Sequence, residues 1–201
     1  MPLEYPKETP AQTAGPFVHI GAMPRIAGFT CFDVELGQQI AGPDVPGERI
    51  VIEGQILDGT GTPCRDTMVE VWQADDQGRY AHPEDPRGAE VADGFTGFGR
   101  AHTDFDTGLF RFETIKPGIV PGRHGRDQAP HVSFWIVARG INIGLHTRMY
   151  FPEDNTSTDP VLSMIEQPHR RDTLIAERTA DGQYRFDIRL QGDRETVFLD
   201  V

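Results

Sequence analysis

The chain has 201 residues and carries 19 Lys and Arg against 31 Asp and Glu, a formal net charge of −12. That balance repels polyanions and excludes nucleic acid and anionic membrane surfaces as partners. With 37% hydrophobic residues, including 12 Phe, 4 Tyr and 2 Trp, the chain can bury a real core and is not a disordered one.

The length suits one domain, or one domain with an N-terminal arm. No apolar run approaches the roughly 18 residues of a membrane helix. Met1-Pro2-Leu3-Glu4-Tyr5 has neither a basic nor an apolar signal-peptide region, so a cytoplasmic protein is expected. Cys31 and Cys64 lack metal-type spacing, and two free thiols are expected in that compartment.

Residues 1–48 are rich in Pro and Gly and weakly periodic, which predicts an irregular arm packed on the body or on a partner chain, with a short helix over Asp33 to Gln39. The body is predicted over 49–201. Arg49 to Leu57 reads as a strand with Ile50, Ile52 and Ile56 on one face, and Thr67 to Gln73 as a second. Residues 81–96 are polar and contain two Pro, which predicts a surface loop. Arg100 to Thr103 and Leu109 to Thr114 predict a hairpin around Asp104 to Gly108.

Lys116 to Gln128 is a further loop, and His131 to Ala138 and Leu145 to Phe151 are two more strands. Asp159 can N-cap a helix with Pro160 at its first position. Pro168 should divide that region into two short helices near 160–177. Tyr184, Phe186, Ile188 and Leu190 alternate in a late strand. Short strands between turn signals predict a mostly β fold, a β-sandwich of mixed or antiparallel sheets.

Chemistry is sparse. In the strand His131-Val132-Ser133, positions 131 and 133 point the same way. Two imidazoles there could aim at one ion, but Ser133 offers a neutral hydroxyl, a poor ligand beside imidazole or phenolate. His131 is then either a lone ligand or an ordinary hydrogen-bonded core histidine. His82 and His124 fall in loops, His102 and His146 in strands without a spaced partner, and His19 and His169 on the arm and a helix surface. Tyr80 reads as an amphipathic rim residue. Arg139, before Gly140, is a solvated strand-end arginine or a clamp for a carboxylate, which a planar guanidinium does well.

Longer motifs carry a resemblance. Glu70-Val71-Trp72-Gln73-Ala74-Asp75 leading to Gly78-Arg79-Tyr80 resembles the intradiol ring-cleaving dioxygenases, as do Phe98-Gly99-Arg100, Thr114-Ile115-Lys116-Pro117-Gly118 and Ala129-Pro130-His131. Thr9 to Phe17 is similar to the arm of the alpha chains of the family's protocatechuate-cleaving enzymes. Catalytic chains of the family hold a non-haem ferric ion with two Tyr and two His. The resemblance implies that Tyr80 and His131 match two of these ligands. Val120 and Ser133 stand at or near the other two, so this chain is expected to bind no metal.

The resemblance further implies a homologous iron-bearing beta subunit as partner, a higher hetero-oligomer, and protocatechuate bound at the interface. Thr13, Gly15, Pro16 and Arg139 would line that pocket. Arg139 would offset the chain's negative charge for a carboxylated substrate. A binding module without a catalytic partner, and an independent enzyme with a rearranged metal site, stay open at this point.

Overall fold

The computed structural model describes residues 13–15, 17–122 and 125–200. Pro16, His124 and the side chain of His19 lie outside the described residues. Among the described residues, nine strands form two sheets. β1 (Arg49–Leu57), β4 (Leu109–Ile115), β7 (Glu177–Ala180), β8 (Gln183–Arg185) and β9 (Ile188–Arg189) make one, in the order β4-β1-β8-β7, with β9 also pairing β1. The other has the order β3-β2-β5-β6, from β3 (Phe98–His102), β2 (Met68–Gln73), β5 (His131–Val137) and β6 (Leu145–Tyr150). All pairings are antiparallel except those of β8 and β9 with β1. The mixed β-sandwich expected from the turn spacing is what forms.

Alternation explains the core. Ile50, Ile52 and Ile56 of β1 are buried against Val69, Val71, Val132, Phe134 and Ile136 of the opposite sheet. Phe134 lies at the centre, its ring 5.4 Å from that of Phe186 and 5.9 Å from that of Phe110. Between Ile52 and Ile56 the same face carries Gly54. A Cβ there would meet the Phe186 carbonyl oxygen at 1.9 Å. The late strand crosses β1 at this point, which is why the row of isoleucines is interrupted.

The same crossing corrects the late strand. Tyr184 to Leu190 is two short strands, β8 and β9, separated at Phe186–Asp187. Asp187 Oδ1 accepts the Gln55 amide at 3.0 Å, so a side chain replaces the ladder bond and the strand is divided.

Three further expectations are corrected. β3 and β4 are not a hairpin but lie in different sheets. The turn at Asp104–Gly108, closed by Gly108 N to Asp104 O at 2.7 Å, carries the chain across the sandwich. Alternation identifies which face is buried, not which strand is the neighbour. Residues 33–39 form turns rather than a helix. There Gly37, at φ +79°, brings its backbone against Arg100, which donates its amide to the Gly37 carbonyl at 3.0 Å. The arm's helix is instead α1 (Val18–Ala22). Finally, exposed β7 begins at Glu177, where the helical region was expected to end.

α2 (Pro160–Ser163) forms behind the expected Asp159 cap, and α3 (Pro168–Arg171) starts at Pro168 without a side-chain cap. Asp159 Oδ1 accepts the Val161 and Leu162 amides, both at 2.9 Å, while its Oδ2 accepts the Ala129 amide at 2.9 Å. One buried carboxylate thus starts α2 and ties it to the entry of β5. Leu162, Leu174 and Val197 pack on Tyr150 and cover the outer face of the second sheet. Cys31 and Cys64 are both free thiols.

Candidate functional site: an outer-face pocket and a clamped arginine

The outer face of the second sheet brings together most of the residues singled out by the resemblance. In the β5–β6 register His131 faces Tyr150 and Ser133 faces Arg148, while Trp72 of β2 faces Ser133. Opposed residues point to the same side. Trp72, Ser133 and Arg148 therefore make one row across three strands, with His131 and Tyr150 beside it.

Tyr80 and Val120 reach this face from two loops that must approach closely. Gly78, at φ +71°, has the Ile119 carbonyl oxygen 1.8 Å from where a Cβ would stand. Gly118 donates its amide to the Asp75 carbonyl at 2.8 Å. Asp75 Oδ1 accepts the amides of Gln77 and Arg79, and its Oδ2 accepts from Arg79 Nε at 2.8 Å. Two glycines and one buried carboxylate thus lock the two loops side by side. The Tyr80 ring stacks on Trp72 at 5.9 Å with planes 3° apart, and His82 meets Trp72 edge-on at 6.4 Å. His82 is exposed, as a loop residue is expected to be, with its ring edge resting on Trp72. Trp72, Tyr80, His82, Arg87, Val120 and Pro121 line a cavity of about 650 Å³.

His131 is buried, and its Nδ1 lies 2.7 Å from the Ala129 carbonyl oxygen. A carbonyl only accepts, so Nδ1 carries the proton and Nε2 is a bare lone pair. Nε2 has no hydrogen-bond partner among the described residues. Burial, reinforced by the nearby Arg148 charge, pushes this imidazole down from 6.5 to about 4, so it is neutral at physiological pH. Burial pushes the Tyr80 phenol up against the opposing pull of Arg148. It does the same to Tyr150, whose hydroxyl donates to Asp159 Oδ1 at 3.2 Å.

The four positions do not suit a ferric ion. Val120 is buried hydrocarbon, and Ser133 is a neutral hydroxyl opposite an arginine. No group of three or more His, Cys, Asp or Glu with metal-binding geometry occurs among the described residues. Nor is any helix among them long and apolar enough to cross a membrane.

Arg139 stands apart from this face, just beyond β5. Its guanidinium Nε pairs with Asp66 Oδ2, yet the side chain is 67% exposed. Thr13 holds the backbone on both sides of it. The Thr13 hydroxyl accepts the Gly140 amide at 2.8 Å and donates to the Ala138 carbonyl at 3.3 Å. Arg139 borders a hollow of about 1090 Å³ that also takes in Ile20, Arg65, Asp66 and Phe105. Arm and strand end are thus brought together at Thr13 and Arg139. Gly15 instead accepts the Val18 amide at 3.1 Å, at the start of α1.

Sequence reading missed Arg148 and Gln128. Arg148 Nη1 donates to Gln128 Oε1 at 2.7 Å, placing a cation beside the four expected positions. Only the β5–β6 register, which pairs Ser133 with Arg148 across an irregular connection, could have exposed it.

Residues 24–192 match the family described as Dioxygenase. The chain is 50% identical, over all of both chains, to the protocatechuate 3,4-dioxygenase alpha chain of Pseudomonas putida. The chain belongs to the intradiol ring-cleaving dioxygenase family. Within that family it is 42% identical to the protocatechuate 3,4-dioxygenase beta chain of Burkholderia cepacia, over 73% of this chain and 66% of that one. Among solved structures, catechol 1,2-dioxygenase from Pseudomonas arvilla C-1 superposes with a TM-score of 0.57 at 25% identity, covering 78% of this chain and 56% of that one. Members of this iron-dependent intradiol family share the fold, and the unsuitability of positions 120 and 133 is a property of this chain's own residues.

Proposed function

We propose that this chain is the non-catalytic alpha subunit of a protocatechuate 3,4-dioxygenase. It pairs with a homologous beta subunit that carries the ferric non-haem iron. Together they cleave protocatechuate with O2 between its two hydroxyl-bearing carbons, giving 3-carboxy-cis,cis-muconate. The observation that carries this reading is the full-length 50% identity to an alpha chain, and it is supported by a valine at 120 and a serine at 133, where the resemblance implies iron ligands.

On this reading the chain walls the partner's pocket with Thr13, Gly15, Pro16 and Arg139. The Thr13 hydroxyl bridging Ala138 and Gly140 supports it, because the arm then orients the backbone that carries Arg139. The exposed guanidinium supplies the cation that a benzoate needs beside a chain of net charge −12. Burial of residues 1–48 against the partner offsets the entropy of ordering them. Two free thiols support a cytoplasmic location.

The test is to purify the chain alone and together with a catalytic beta chain. The expected result is an equimolar complex with one ferric ion per pair and protocatechuate-dependent O2 uptake, against neither iron nor turnover for the chain alone. Stoichiometric iron with tyrosinate visible absorption in the isolated chain would overturn the proposal.

A further inference from the structure

Ser133 and Arg148 face each other across β5 and β6. Directly opposed residues of an antiparallel pair have Cβ atoms about 4.5–5.5 Å apart, so whatever stands at 133 shares its space with the residue at 148. Ser133 claims almost none of that space. From its place opposite Ser133, Arg148 reaches Gln128, which precedes β5, with Nη1 2.7 Å from Oε1.

Two of the four matching positions keep ligand-type side chains nearby. His131 keeps the posture of a ligand, with Nδ1 tied to the Ala129 carbonyl and a buried, unpartnered Nε2. Tyr80 is held flat against Trp72, and Tyr150 against the buried Asp159 carboxylate. The Arg148 charge acts on the His131 imidazole and on the Tyr80 and Tyr150 phenols.

We infer that Arg148 is the resident cation of this pocket: its guanidinium takes the space of a second imidazole and the charge of an ion, so the pocket is closed to metal by an occupant as well as by absent ligands. The inference rests on reading Tyr80, Val120, His131 and Ser133 as a remnant ligand set. Its physical basis is twofold. A metal ion placed beside a fixed guanidinium meets like charge in surroundings that screen poorly. An imidazole at 133 must also displace the Arg148 side chain and break its bond to Gln128.

Restoring ligands alone is therefore insufficient. The experiment compares three forms of the full chain. One is Val120→Tyr with Ser133→His. The others add Arg148→Gln or the charge-retaining Arg148→Lys. Each is incubated with ferric iron, desalted, and read by metal analysis and visible absorption. The Arg148→Gln triple variant is expected to retain at least about tenfold more iron than the other two. Equal iron in the double and the Arg148→Gln triple would overturn the inference while leaving the ligand assignment standing. Iron in none of the three would remove the ligand assignment itself, and the inference with it.

A stability cycle keeps the question decidable if these variants fold poorly. Ser133→His alone should lower the urea midpoint, and adding Arg148→Gln should restore part of the loss. Strictly additive effects would refute a shared space at 133 and 148.

Discussion

The hydroxyl of Thr13 accepts the backbone amide of Gly140, joining the arm to the far end of β5. Thr13→Val keeps the shape of the side chain and removes both of its hydrogen bonds. The expected cost is about 0.5–1.5 kcal/mol per bond at the arm's attachment, not in the global fold. Faster hydrogen exchange at the Gly140 amide with an unchanged urea midpoint is the expected signature. Unchanged exchange would mean that the bridge is not formed in solution.

Arg139→Ala tests the carboxylate clamp in the assembled enzyme. A lost charge-assisted hydrogen bond costs about 1.5–3 kcal/mol. The expected loss in kcat/KM is therefore about tenfold or more for protocatechuate, with little change for catechol, which lacks the carboxylate. An equal loss on both substrates would make Arg139 a structural residue.

Gly78→Ala should be costly despite adding one methyl group. The site combines a left-handed backbone, at φ +71°, with a carbonyl oxygen 1.8 Å from the added carbon. Backbone shift or strain of at least about 1–3 kcal/mol is expected, with the Tyr80 and Ile119 loops forced apart. Urea unfolding should report the loss, and Trp72 fluorescence the disturbed stack with Tyr80. Gly61→Ala is the control. Its φ is +83°, but nothing lies within 4 Å of the new carbon, so its cost should be the backbone term alone.

His131 makes stability depend on pH. Its imidazole is held neutral down to about 4 in the folded chain, against 6.5 in the unfolded one. Between those values the unfolded chain binds more protons, so stability rises with pH through the window. The contribution is fully present above 6.5 and falls away as the pH drops toward 4. Its upper size is roughly 3 kcal/mol. Urea unfolding at intervals from pH 4.5 to 7.5 should show this slope, and His131→Gln should flatten it. An unaltered slope in the variant would assign the dependence to other groups.

How far these features could be read in advance depended on the range of the interaction. β1 was legible residue for residue, because burial of alternate isoleucines is written within nine positions. The N-cap at Asp159 was legible for the same reason, since a carboxylate and the amides it accepts lie within three residues. The failures were failures of partnership. The segments Arg100 to Thr103 and Leu109 to Thr114 read as a hairpin, yet each falls in a different sheet, and alternation carries no label for the neighbouring strand. At the candidate site, Tyr80, Val120, His131 and Ser133 were found through motifs. Arg148 was invisible because its significance lies in facing Ser133 across a register that local sequence does not encode.

The order in which the strands of β1's sheet are made has a consequence for biosynthesis. β1 pairs with β4 on one side, and with β8 and β9 on the other. During translation that second side is an open edge until residues 183–189 have left the ribosome. An unpaired edge flanked by buried isoleucines is a template for association with other nascent chains. The sandwich therefore closes only once residues 183–189 have emerged, and a chain stalled before that point would display an adhesive β1 edge that a chaperone must shield.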